Sequence, residues 1–116
     1  MIRTELSLRL PNNAGALAGV CRLLADERVR VLAMALGDGG QLRLVVDNHV
    51  HGAGVLRERR HTVAEHDVLV VDTAAGPAAL RLIADAGINL NYSYGGTSAV
   101  VLGVDDAIRA SAASGV

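Results

Sequence analysis

Polar and apolar residues alternate along positions 5–10, Glu-Leu-Ser-Leu-Arg-Leu, which predicts a strand with one buried face. Pro11, Asn12, Asn13, Ala14 and Gly15 break the alternation, supplying turn residues and an Asx-type helix cap. Leu17, Val20, Leu23 and Leu24 then recur at helical spacing, with Cys21 on the same side, and the helix is expected to end at Arg28. β-Branched Val29 and Val31 open a strand reaching Leu36. Residues 37–40, Gly-Asp-Gly-Gly, predict a hairpin turn because they accept positive φ. The returning strand covers 41–47, with Leu42, Leu44 and Val46 on one face. A second helix is expected over 49–59, weakened by Gly52 and Gly54. Positions 61–72 read as extended, as two strands separated near His66 and Asp67.

The same order then returns. Arg-Leu-Leu-Ala-Asp at 22–26 recurs as Arg-Leu-Ile-Ala-Asp at 81–85, an offset of 59 in a chain of 116 residues. That offset lays Val29 on Ile88 and Val31 on Leu90; with one residue deleted, Leu-Val-Val-Asp at 44–47 falls on Leu-Gly-Val-Asp at 102–105. A repeat this long is one small fold used twice. Its second copy predicts a loop at 73–76, a helix from Pro77 to about Ala86 stopped by Gly87, strands at 88–94 and 98–104 around the Gly95-Gly96-Thr97 turn, and a short helix at 105–113. Each unit therefore follows the βαββαβ order of the ferredoxin-like split motif. The expected fold is α+β: tandem ferredoxin-like units over 1–66 and 67–116, antiparallel sheets with helices on one face, and a second unit lacking its last strand.

Strand parity bears on assembly. If Val29, Val31, Leu42, Leu44 and Val46 face the helices, then Leu32, Met34 and Val45 lie on the opposite face, with Val101 equivalent in the second unit. That face is too apolar for water, so part of it is expected to be buried against another protomer in a homodimer, and the unpaired edge of the second unit needs cover from the neighbouring unit or a second chain.

Composition narrows the chemistry. With no Phe or Trp, the core must be aliphatic, and only Tyr92 and Tyr94 are aromatic. A net charge of −1 and the absence of stacking aromatics argue against nucleic-acid binding. All 11 basic residues are Arg, which excludes a Schiff-base lysine and a Walker-type phosphate lysine. Cys21 reads as a core thiol. No apolar run is long enough to span a bilayer, and residues 1–5 do not resemble a secretion signal, so neither membrane insertion nor export is expected and the cytoplasm is the default location.

The candidate chemistry is sparse. His49 and His51 would not share a helix face, and His61 and His66 complete a set without metal-site spacing, so surface histidines are expected and no metal or cofactor is implied. No nucleophile and base are spaced as a catalytic pair. Small cofactor-free enzymes of ferredoxin-like fold do act in dimer cavities, so the alternative is such an enzyme, with His66 or Asp67 as general base. Asn12 and Asn13 cap a helix or bind a ligand by the same geometry. Asn89 and Asn91 read as an exposed strand face, and Tyr92 and Tyr94 share a face with Ile88 and Leu90.

Leu10-Pro11-Asn12-Asn13-Ala14-Gly15-Ala16-Leu17 resembles the first loop of an ACT domain, whose motif approximates Asn-x-Pro-Gly-x-Leu. Ala86-Gly87-Ile88-Asn89 and Val104-Asp105-Asp106 resemble the family's second-strand opening and third-strand ending. The match spans the chain and is most similar to stand-alone proteins of two ACT units. The resemblance implies a regulatory module that binds a free amino acid or similar small carboxylate at the seam between units and acts on a larger target enzyme. It implies a ligand carboxylate on the backbone N–H groups of residues 12–17, Asn12 or Asn13 taking the ammonium, and Asn89, Asn91 and Tyr92 as the opposite wall. Ala14 stands where the family often has Pro, and the second loop, Thr73 to Pro77, has no Asn or Asp beside its Gly; one competent site per chain is expected.

Overall fold

The computed structural model describes residues 1–116. Its elements are β1 (Ile2–Arg9), α1 (Ala16–Asp26), β2 (Val31–Leu36), β3 (Gln41–Val46), α2 (His49–Glu58), β4 (Ala64–Asp72), α3 (Gly76–Asp85), β5 (Leu90–Gly95), β6 (Ala99–Val104) and α4 (Ala107–Ser114). Short 3-10 turns, Asp38–Gly40 and Thr73–Ala75, precede β3 and α3. No helix is long and apolar enough to cross a membrane.

The chain divides into two compact units, Thr4–His66 and Asp67–Val116, the latter together with Met1–Arg3. In the first unit β3 lies between β1 and β2, antiparallel to both. Leu6, Leu8, Leu42, Leu44 and Val46 meet Val20 and Leu24 of α1 and Ala53 and Leu56 of α2 in one buried cluster, which shields the apolar face that the alternation predicts. In the second unit β6 lies between β4 and β5, again antiparallel. Its core gathers Leu69, Val71, Ile83, Ile88, Leu102 and Ala110. This unit has no last strand of its own. Instead Met1 lies along β4: its ammonium donates to the Val70 carbonyl (3.2 Å), and the Val70 N–H donates to the Met1 carbonyl (2.8 Å).

Two expectations are corrected. The break near His66 and Asp67 is absent and β4 runs unbroken, since neither position carries a Gly or Pro to turn the chain. The strand parity also changes. A register irregularity between Val31 and Ala33 leaves Val31 opposite Val46 but sets Ala33 opposite Val45, Met34 opposite Leu44 and Leu36 opposite Leu42. A bulge inserts one residue, so every later side chain changes face. Met34 and Leu36 therefore lie on the helix side, not beside Val45. The repeat carries the same device: between Leu90 and Tyr92 a second irregularity sets Tyr92 opposite Gly103 and Tyr94 opposite Val101, off the face of Leu90. Val45 and Val101, expected to need a second protomer, are each only 1% exposed within one chain.

Candidate functional site

Within the first unit, the loop after β1 and the turn between β2 and β3 enclose a cleft of about 440 Å³. Antiparallel pairing of Arg9 with Gln41 brings them together, because the end of β1 then lies beside the start of β3. Two hydrogen bonds fasten the turn: the Leu10 N–H donates to the Gly40 carbonyl (2.7 Å), and Arg9 Nη1 donates to the Gly39 carbonyl (2.6 Å). Gly39 and Gly40 both hold positive φ, 72° and 79°. A Cβ on Gly40 would sit 2.2 Å from the Leu10 carbonyl oxygen, so only glycine lets the turn approach this strand end.

The loop's own bonds are local. The Gly15 N–H donates to Asn13 Oδ1 (3.2 Å), an Asx turn, and the Ala16 N–H donates to the Asn13 carbonyl (3.4 Å). Gly15 is the N-cap of α1 and offers no side chain to the first turn. The Leu17 and Ala18 N–H groups consequently have no protein acceptor, while Gly19 closes the first intrahelical bond to Gly15. Helices α2 and α4 differ, for Asn48 and Asp106 cap them by accepting from His51 and Arg109. The first turn of α1 is left with open donors and the positive end of the helix dipole.

Of the residues expected at a ligand site, Asn12, Asn13, Ala16 and Leu17 line this cleft, whereas Ala14 and Gly15 lie between them in the chain without lining it. Asn89, Asn91 and Tyr92 belong to the other unit. There Asn91 Nδ2 donates to Asp105 Oδ1 (2.8 Å), and the Asn89 carbonyl accepts from the Asp105 N–H (3.3 Å). Tyr92 stacks on Tyr94 with ring centroids 6.3 Å apart. Sequence reasoning missed Leu36, Asp38, Gly39 and Gly40, treating the turn as a connector only. The signal was available in principle: three glycines around one Asp, at the sheet end where β1 enters its loop.

The second unit's equivalent loop is tied differently. The Thr73 N–H donates to the Ser98 carbonyl (3.0 Å) and its hydroxyl to the Gly96 carbonyl, joining loop to turn directly. Elsewhere, His66 Nε2 lies 3.3 Å from Ser7 Oγ, while Asp67 is exposed. No three His, Cys, Asp or Glu residues gather closely enough to hold a metal ion.

No family model matches the sequence, and no curated protein is similar to it in sequence. Solved structures do share its fold. A protein from Bacteroides thetaiotaomicron superposes with a TM-score of 0.84 at 22% identity, covering 95% of this chain and 84% of that one. The ligand-free regulatory subunit of aspartate kinase from Thermus thermophilus gives 0.72 at 14% identity, covering 98% and 91%. The corresponding subunit from Thermus flavus gives 0.69 at 17% identity, covering 97% and 87%. The fold is the tandem, ferredoxin-like arrangement of ACT type.

Proposed function

We propose that this protein is a regulatory module that binds a small zwitterion, an amino acid, in the cleft of the first unit. The observation that carries the reading is the pairing of open donors with a carboxylate around one cavity. Leu17, whose N–H is open, lines the cleft and suits a ligand carboxylate, with the open Ala18 N–H one residue further along the same helix turn. Asp38, with the side-chain oxygens of Asn12 and Asn13, suits its ammonium. A fold shared with regulatory subunits of aspartate kinase supports a regulatory part, with a larger enzyme as the regulated partner.

Binding to the native state alone stabilises it by about 2.7 kcal/mol at a hundredfold excess over Kd. A thermal-shift screen of the twenty amino acids is therefore expected to give a selective rise in Tm; no rise at millimolar concentration would overturn the reading. Gly15→Asp is the sharper test. A Cβ there meets nothing nearer than Asn13 Oδ1 at 3.9 Å, so the side chain fits. Its carboxylate would cap α1 with the ligand's own donors, adding a few tenths of a kcal/mol to unliganded stability. We expect a Tm that is kept or raised and an amino-acid response that is lost. Loss of the response in Asp38→Asn, but not in Asn91→Ala, assigns the ammonium to the turn; the reverse assigns it to the Asn89, Asn91 and Tyr92 wall.

A further inference from the structure

A second cleft in the first unit, of about 530 Å³, has a different chemistry. Arg9, Arg60 and His61 line it together with Ser7, Gln41 and Thr62, and no Asp or Glu is among its lining residues. The nearest carboxylate along the chain, Glu65, is engaged by Arg57 Nη2 at 3.1 Å. Arg9 spends Nη1 on the Gly39 carbonyl and keeps its other N–H donors. Two guanidinium groups, an imidazole, the Thr62 hydroxyl and the Gln41 amide belong to the residues around this concavity, while the Ser7 hydroxyl is paired with His66 Nε2; such donors suit an anion with several oxygens.

Arg60 adds a second observation. It holds φ at +67°, in the left-handed region, at the residue that follows the cap of α2. Its N–H donates to the Arg57 carbonyl (3.0 Å) and that of His61 to the Leu56 carbonyl (3.1 Å), a Schellman ending that ordinarily places Gly at this position. An L-residue there is strained, because its Cβ crowds the following carbonyl oxygen. Backbone strain that a simple substitution would relieve is a pointer to function where the strained residue also lines a cleft.

We propose that this cleft binds a multiply charged oxyanion, either the phosphate group of a small molecule or a polycarboxylate, through Arg9, Arg60 and His61. The two clefts share no lining residue, although Arg9 also holds Gly39 of the first, and the proposal does not depend on the amino-acid reading. Arg28 supplies an internal control: it has the same left-handed conformation (φ +58°) at the end of α1 and does not line the cleft. Arg28→Gly and Arg60→Gly both relieve backbone strain, but only the second removes a charge from the cleft.

The experiment is isothermal titration of the full chain with pyrophosphate, and separately with citrate, at constant ionic strength. The wild type and Arg28→Gly are expected to bind at least one anion. Arg60→Gly and His61→Gln are expected to bind it at least tenfold more weakly, even though Arg60→Gly raises Tm. Tighter pyrophosphate binding identifies a phosphate ligand, and tighter citrate binding a polycarboxylate. Gly15→Asp should retain the anion, which keeps this test distinct from the amino-acid test. Binding of neither anion, or wild-type binding by both Arg60→Gly and His61→Gln, would overturn the proposal.

Discussion

Tyr92 stands opposite Gly103 on β5 and β6, where the repeat places Ala33 opposite Val45 in the first unit. The two pairs exchange bulk. A Cβ on Gly103 would lie 2.2 Å from Cζ of Tyr92, so the Val-to-Gly difference in the repeated motif is the room that the Tyr92 ring occupies. Gly103→Val is expected to cost about 1–3 kcal/mol through overpacking. Adding Tyr92→Ala, which restores the Ala and Val pair of the first unit, should recover part of that loss. Urea denaturation of both single variants and the double variant would show coupling of about 0.5–3 kcal/mol; strict additivity would refute the compensation. Both residues are visible in the sequence, but their contact is not, because the bulge before Tyr92 decides which residue it faces.

At the scale of elements, three helices end in the same way. The residues after the caps of α1, α2 and α3 are Arg28, Arg60 and Gly87, with φ of 58°, 67° and 73°. In each, the next N–H bonds back to Leu24, Leu56 or Ile83. Val29 and Ile88 are buried beyond the first and third of these ends, adding the hydrophobic contact typical of the motif. Arg28→Gly is therefore expected to stabilise by up to about 1 kcal/mol, and Gly87→Arg to destabilise by a similar amount, both measured by thermal unfolding. Helix spans and the repeat were legible because a period of 3.6 survives small errors in boundary. The strand faces were not. Period-two alternation reverses with a single inserted residue, and neither Leu32 nor Asn91 carries a mark that distinguishes a bulge from regular strand.

In the whole molecule, β1 and β4 each divide between the two units: Met1–Arg3 accompanies the second, and residues 64–66 the first. Glu5 is a charged residue in the interior of the protein. It is fully buried and accepts a hydrogen bond from Arg43 Nη1 at 3.1 Å, so the charge is paired as burial demands. Part of the apolar surface that stays open lies on β2, where Met34 and Leu36, on the helix side after the bulge, are 49% and 52% exposed and Leu32, at the bulge, is 42% exposed. This strand pairs on one side only, with β3. A second copy pairing along this strand would cover these apolar side chains and an open edge together. Sedimentation equilibrium is then expected to show a homodimer that Met34→Lys converts to a folded monomer; a wild type that stays monomeric at every accessible concentration would refute this.

The sequence by itself determined the duplicated α+β order, the aliphatic core and the loop from Asn12 to Leu17, because these follow from local periodicity and turn chemistry. Only the tertiary structure decided which residues face that loop. Cross-strand register, set by pairing Arg9 with Gln41, carries Asp38 and three glycines to the cleft from about twenty positions away. It also gathers Arg9, Arg60 and His61 around a second cavity. Register is a long-range property: it is fixed when strands pair and bulges form, and no local stretch of chain encodes it alone.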